Sequence, residues 1–350
     1  MSMKFSPNTA WPPKELESVS SCPACSSGDR KLLFSELVDN AFFVANGKWN
    51  LFQCQNCNSA YLDPRPDKES IHRAYGAYYT HTTNVKNKTD PDHFTGIRKW
   101  RRMLANGYYN YHYGTSRAPE SIHGAWLLLL YPKFSRSVRA QFRFLNKPQP
   151  GQVLLDVGCG NGDFLVLAAE VGWDAKGVEP DPKALDVARS RGVKVIQGSL
   201  DEIKKTGELY DVITMSHVIE HVHDPAAFVR LAFESLKPGG VLYIDTPNVQ
   251  SLGLRRFQKN WRGLESPRHL VLFSEQGLRK ILKISGFKKL YFVSRSEVRF
   301  NIALKSYRIK LGKSPYDESI KKLPVREMIK TYLPRSFQRE EFLTVLARKS

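Results

Sequence analysis

Residues 153–165 read Val153-Leu154-Leu155-Asp156-Val157-Gly158-Cys159-Gly160-Asn161-Gly162-Asp163-Phe164-Leu165. An apolar, strand-like run holds an acid near its end. Three glycines follow at alternate positions, and a helix-like apolar run comes next. Glycine lets the backbone turn sharply and approach a ligand closely, and the first turn of the following helix offers unpaired N–H groups to polar or anionic atoms. The spacing is G-x-G-x-G with Asp156 before it, unlike the G-x-G-x-x-G of dinucleotide folds. A second acid, Glu179, closes the next strand-like run, the position from which a ribose diol is held.

Outward from this stretch, short apolar runs alternate with helical ones. Strands are predicted at Val153–Val157, Ala175–Val178, Val193–Gln197, Val212–Met215, Val241–Asp245 and Leu290–Val293, with another at Glu341–Ala347. Strand–helix alternation implies an α/β, doubly wound, mostly parallel sheet. Asp181-Pro182 and Asp224-Pro225 each set a cap residue before a first-turn proline, and Gly192, Gly239 and Gly286 read as helix stops.

Four of the five cysteines lie near the N-terminus, as Cys22-Pro23-Ala24-Cys25 and Cys54-Gln55-Asn56-Cys57. Each C-x-x-C turn aims two sulfurs at one centre, and two such turns make the closed tetrahedral site of structural Zn²⁺. Four ligands leave no open position, so the metal is expected to hold structure. The organisation reads as a polar lead-in at 1–20, a zinc ribbon at 21–66 closed by Asp63-Pro64-Arg65-Pro66, a helical basic-aromatic cap or linker at 67–145, and a catalytic α/β domain at 146–350.

The chain has 350 residues, with 53 Lys+Arg against 34 Asp+Glu and a formal charge of +19. That balance favours an anionic partner: nucleic acid, an anionic membrane surface or a phosphorylated substrate. Between Phe94 and Leu145 nine Lys/Arg and eleven aromatics are interleaved with one acid, Glu120. Three readings stay open for this segment: a cap over the acceptor site, an interfacial surface on an anionic membrane, or an RNA-binding face. No apolar run approaches the ~20 residues needed to span a bilayer, and no export signal is evident. A cytoplasmic protein is expected, peripheral at the inner face of the membrane if the second reading holds.

The D-x-G-C-G-x-G loop, the acid of Val178-Glu179-Pro180-Asp181, Tyr210-Asp211-Val212, His217–Pro225 and Leu236–Ile244 together resemble the class I S-adenosylmethionine-dependent methyltransferases. The resemblance implies a Rossmann-like seven-stranded sheet ending in an antiparallel hairpin of Lys289–Arg295 and Phe342–Arg348, with 296–340 as an insertion. It also implies S-adenosyl-L-methionine as cofactor. Asp156, Gly158, Cys159, Gly160 and Gly162 would line its methionine part, Glu179 would hold the ribose, and Ser199 would lie near adenine. His217 would adjoin the same ligand.

Acceptor-side residues in this family follow the fourth strand, here His217, Glu220, His221 and His223. A helical turn places 217, 220 and 221 on one face, as a general base with its carboxylate, as ligands to a divalent metal, or, for Glu220 and His221, as structural residues that pin the turn under the cofactor. The Glu-His pair is similar to that of the ubiquinone-biosynthesis O-methyltransferases, and with the zinc ribbon also to that of deoxysugar C-methyltransferases. Trp261–Ser274 resembles bacterial methyltransferases of polysaccharide and lipid-glycan pathways, a resemblance that would let Arg268 and His269 reach the acceptor; a cap region packing before the Ser274 helix is the competing reading. His221 is the first expected base, oriented by Glu220, followed by His217 and His269. O-methylation of a sugar, glycan, sugar nucleotide or lipid-linked saccharide is the expected reaction. RNA methylation, with ribbon and basic segment as the RNA-binding parts, is the alternative.

Overall fold

The structure, a computed structural model, describes residues 10–76, 96–332 and 339–350. The start of the polar lead-in and Phe94 lie outside the described residues. Two compact units divide the chain, residues 80–214 and residues 1–79 with 215–350. The strands are β1 (Leu16–Glu17), β2 (Arg30–Leu37), β3 (Trp49–Cys54), β4 (Ala60–Leu62), β5 (Arg65–Pro66), β6 (Val153–Val157), β7 (Asp174–Glu179), β8 (Lys194–Gln197), β9 (Tyr210–Ser216), β10 (Leu236–Pro247), β11 (Val271–Leu272), β12 (Lys289–Val293) and β13 (Phe342–Arg348). The helices are α1 (Gly96–Tyr113), α2 (Gly124–Leu130), α3 (Pro132–Ala140), α4 (Asp163–Glu170), α5 (Pro182–Ser190), α6 (Leu200–Lys205), α7 (Pro225–Ser235), α8 (Leu252–Phe257), α9 (Glu275–Ile284), α10 (Arg299–Lys310) and α11 (Val325–Tyr332). One mixed sheet of seven strands runs in the order β12-β13-β10-β9-β6-β7-β8, the doubly wound α/β arrangement expected.

In the 80–214 unit, β6, β7 and β8 pair in parallel, with Asp156 opposite Gly177 and Glu179 opposite Gln197. Buried Leu154, Leu155, Val157 and Val178 fill the strand interiors. The Asp181 side chain accepts from the Lys183 N–H at 2.9 Å and starts α5, with Pro182 in its first turn. Helices α1 and α2 cross closely because Gly107 and Gly124 lack side chains. A Cβ on Gly107 would run into the Ser121 carbonyl, and one on Gly124 into that of Leu104. Ala125 and Leu128 are thereby buried, while Ile122, Trp126 and Leu130 are 80%, 65% and 75% exposed.

In the other unit, β10, β13 and β12 are antiparallel, Asp245 facing Thr344 and Phe292 facing Val345, as the hairpin expectation required. Gly239 does not stop a helix. Helix α7 ends at Ser235, and Gly239, at φ 75°, lies within the first residues of β10. The cysteine-bearing strands form a four-stranded antiparallel sheet ordered β11-β4-β3-β2. Its fourth strand comes from far along the chain, with Val271 opposite Tyr61 and Leu272 opposite Ala60. Trp11, Leu37, Trp49 and Leu51 share one apolar core with Leu254, Trp261, Leu272, Ile302 and Phe342. The ribbon is therefore no lobe dependent on metal for want of a core. Residues 296–340 add α10 and α11, and Arg256 of α8 is ion-paired to Glu327 of α11.

Candidate active site and metal centre

The glycine loop joins β6 to α4. Gly158, Gly160 and Gly162 have φ of 65°, 54° and 78°, a region that penalises any Cβ. Gly162 caps α4, and a Cβ there would press on Val193 and Ala188 at 3.0 and 3.2 Å. Glu179 reaches back to this loop. One carboxylate oxygen accepts from the Gly160 N–H at 2.8 Å and the other from the Asp181 N–H at 3.0 Å. Burial pushes its pKa up against those two donors. Each oxygen keeps a second lone pair, the acceptor capacity a ribose diol requires.

Asp156 is buried and engaged. Arg143 spans its two oxygens, with Nη2 3.2 Å from Oδ2, and the Thr214 hydroxyl donates to Oδ1 at 2.8 Å. The Arg143 guanidinium also lies 3.6 Å over the Phe164 ring. Asp156 thus underpins the loop through Arg143, a residue that sequence reasoning missed because no spacing rule links it to the motif. The Cys159 thiol is pushed up by burial and by the Asp156 and Glu179 carboxylates, so it is no nucleophile. Ser199 caps α6, exchanging bonds with Asp201 and Glu202, and lies at the C-terminal side of β8 beside Gly198. These residues fit a nucleoside with an attached amino-acid chain: backbone N–H groups at a glycine turn, a carboxylate with spare acceptors, and a polar cap near the base.

The acceptor-side residues belong to the other unit. Ile219–His221 forms one turn of 3₁₀ helix. His217, at φ 57°, donates its backbone N–H to the Asp245 carbonyl at 2.8 Å. Its Nδ1 lies 3.2 Å from Glu220 Oε1, and its ring sits edge-on to Phe342 at 4.8 Å. Burial would lower the His217 pKa, but the Glu220 bond and charge, helped by Asp245, raise it. Glu220 is fully buried, accepts from the Thr246 hydroxyl at 2.9 Å, and is held down to about 2 despite burial by His217 and the neighbouring imidazoles. Glu220 therefore orients His217, not His221 as expected from the sequence.

His221 is oriented differently. Its Nδ1 lies 3.0 Å from the Arg268 carbonyl and 3.0 Å from the Tyr75 hydroxyl. A carbonyl only accepts, so Nδ1 carries the proton and Nε2 the lone pair. His269 repeats the arrangement, donating from Nδ1 to the Gly263 carbonyl at 2.8 Å. The two rings stand 4.7 Å apart, and burial lowers both pKa values, that of His269 to about 4. Glu220, His221 and His269 each offer a ligand atom within 4.8 Å of the others, a donor set that fits a divalent cation as well as a base. His223 leaves the cluster and bonds the Pro66 carbonyl at 3.0 Å. Arg268 does not face an acceptor. Fully buried, it pairs with Asp39 at 2.5 Å, with Glu265 at 3.2 Å and with the Ala74 carbonyl at 2.8 Å. Tyr75 and Asp39 gave no sequence signal, since neither sits in a motif.

Cys22 Sγ lies 3.6 Å from Cys57 Sγ, and Cys25 Sγ 3.5 Å from Cys54 Sγ. Tetrahedral ligands at Zn–S of about 2.3 Å stand roughly 3.8 Å apart, so the four sulfurs fit Zn²⁺ with small adjustment. The hydrogen bond between Cys22 and Cys57 pushes the first thiol up and holds the second down to about 5, the conflict a dication would relieve. Ser274, the cap of α9, accepts from the Gly277 N–H at 2.9 Å and bonds the Cys57 carbonyl, so the second knuckle is seated on α9.

Among known proteins, a family model described as a methyltransferase domain matches residues 133–291. The ubiquinone biosynthesis O-methyltransferase of Azorhizobium caulinodans is 38% identical over 116 residues, 31% of this chain and 46% of that protein. Its counterpart from Rhizobium etli is 28% identical over 167 residues, 44% of this chain and 66% of that protein. The chain spans about half the length of the first curated relatives it matches. A solved S-adenosylmethionine-dependent methyltransferase from Archaeoglobus fulgidus is 20% identical, at a TM-score of 0.42, covering 64% of this chain and 100% of that one. Residues 133–291, which hold the glycine loop and its returning acid, match the methyltransferase-domain family.

Proposed function

We propose that the chain O-methylates a hydroxyl of a sugar, glycan or lipid-linked saccharide, with His221 as general base. When bound, S-adenosylmethionine supplies an electrophilic methyl group on a sulfonium centre. The observation that carries the base assignment is the fixed tautomer of His221: the Arg268 carbonyl holds Nδ1–H and leaves Nε2 as a proton acceptor. A sugar hydroxyl is barely acidic, so its proton has to leave as the new C–O bond forms, and an imidazole at hydrogen-bond distance accepts it. Glu220 accepts from His217 and also lies within 4.8 Å of His221 and His269. The relatives named O-methyltransferases support oxygen as the acceptor atom. The excess of basic residues supports an acidic or phosphorylated carrier over a neutral quinol.

The test is turnover of labelled S-adenosylmethionine with cell fractions. Label is expected in lipid-glycan or nucleotide-sugar material. Label in RNA or in quinols would overturn the acceptor class. His221→Ala should then lower turnover by roughly 10²–10⁴-fold while the affinity for S-adenosylhomocysteine stays unchanged. Full turnover in that variant, or a requirement for added Mg²⁺ or Mn²⁺ in the native protein, would favour metal ligation over base catalysis at Glu220, His221 and His269.

A further inference from the structure

A cavity of about 460 Å³ opens beside α8 and the start of β13. Its lining includes five cations, Arg255, Arg256, Arg299, Lys330 and Arg339, against one carboxyl, Glu341. Arg256 is paired with Glu327, and Arg299 with Glu340 at 2.7 Å. Among the described residues neither Arg255 nor Arg339 has an ion pair, and Lys330 reaches Glu327 only at 3.9 Å. The Nε of Arg299 is buried with no hydrogen-bond partner. Solvated surface arginines need no such convergence, since like charges drawn into one concavity repel unless an anion sits among them.

Strand β13 links this cavity to the candidate site, since Glu341 of the lining directly precedes its first residue. Glu341 accepts from the Trp261 indole N–H at 2.8 Å and from the Gly253 N–H at 3.0 Å. The next residue, Phe342, carries the ring that meets His217. The cavity lining and the ring beside His217 thus lie on consecutive residues of one chain segment. We propose that this cavity binds the diphosphate of the acceptor, so that the hydroxyl to be methylated belongs to a sugar linked through a diphosphate. Guanidinium forks match phosphate oxygens bidentately, which suits arginine over lysine at four of the five positions. The proposal rests on the O-methylation reading for the identity of the acceptor, but binding of the anion does not.

Calorimetry with inorganic pyrophosphate on the full chain tests it directly. Micromolar to millimolar binding is expected, weakened at least ~10-fold in Arg255→Ala/Arg339→Ala, since each loses charge-assisted hydrogen bonds. Affinity for S-adenosylhomocysteine and the melting temperature should be unchanged in that variant, because both side chains are exposed and unpaired. Two further arms separate the sources of a diphosphate: a uridine diphosphate hexose in solution, and a polyprenyl diphosphate sugar in neutral phosphatidylcholine vesicles. Binding of either that is lost in the double variant supports the site. Pyrophosphate affinity equal in native and variant protein overturns it, even if a sugar hydroxyl is methylated. Displacement of pyrophosphate by a short single-stranded RNA more tightly than by either sugar diphosphate overturns it in favour of a nucleic acid. Pyrophosphate binding without methylation of any hydroxyl would leave the cavity standing and remove the O-methylation reading alone.

Discussion

The imidazole of His221 has its proton held on Nδ1 by a main-chain carbonyl, and burial keeps its pKa below the ordinary 6.5. The neutral ring is the active base, so activity should rise with pH, with its half-maximal point below pH 6.5. A pH–rate profile checks this, and an acid limb above 6.5 would point to another group. His269 has a consequence for stability as well. Its folded pKa, about 4, lies below the unfolded value, so its contribution is complete above about pH 6.5 and is lost as pH falls through 4. The difference corresponds to roughly 3 kcal/mol. His269→Gln should flatten the acid limb of a urea-denaturation series between pH 7 and pH 4 by about that amount. Arg268 is buried against Asp39, and deleting one partner of such a pair costs about 3–5 kcal/mol. Arg268→Ala should therefore unfold at markedly lower urea, although the side chain touches no acceptor. The sequence reading named Glu220, His221 and His269 because their types and spacing suit acid–base work. It misassigned the partner of His221 because the orienting groups, Arg268 O and Tyr75, are distant in sequence and one is a carbonyl, which every residue has.

At the scale of elements, the parallel strands and the glycine turn were legible because apolar runs, an acid and alternating glycines are local signals. The fourth strand of the ribbon was not. Val271 and Leu272 are two residues long and look like any buried pair until Ala60 and Tyr61 are placed beside them. This pairing changes what metal removal should do. Elemental analysis should find about one zinc per chain. In Cys25→Ser, hydrogen exchange should quicken in β2 to β4 and also at Val271–Leu272 and the first turn of α9, where Ser274 and Gly277 adjoin Cys57 and Ser59. Loss of protection confined to residues 21–66 would contradict the shared sheet. Helix α2 poses a separate test. Trp126 and Leu130 lie four residues apart on its exposed side, Ile122 is exposed just before it, and Tyr111 stands 6.2 Å from Trp126. Co-sedimentation with phosphatidylglycerol vesicles should drop at least several-fold in Trp126→Glu/Leu130→Glu if this face lies on an anionic membrane. Unchanged binding would leave the helices as a cap.

Across the whole molecule, no helix among the described residues is long and apolar enough to cross a membrane. The formal charge of +19 is concentrated in α1 to α3 and in residues 296–340, the parts outside the family match at least in their greater portion. The ribbon sheet also has a temporal meaning. Its first three strands end at Leu62, but the fourth begins at Val271, 209 residues later. At about 5–20 residues per second of synthesis, the nascent N-terminal segment waits roughly 10–40 s for its edge to be covered. During that interval the open side of β4 and four unbound thiols are exposed together to the cell. Early capture of zinc would hold the three strands in register through that delay, so metal supply during translation should govern the yield of folded protein more than it governs the stability of the finished molecule.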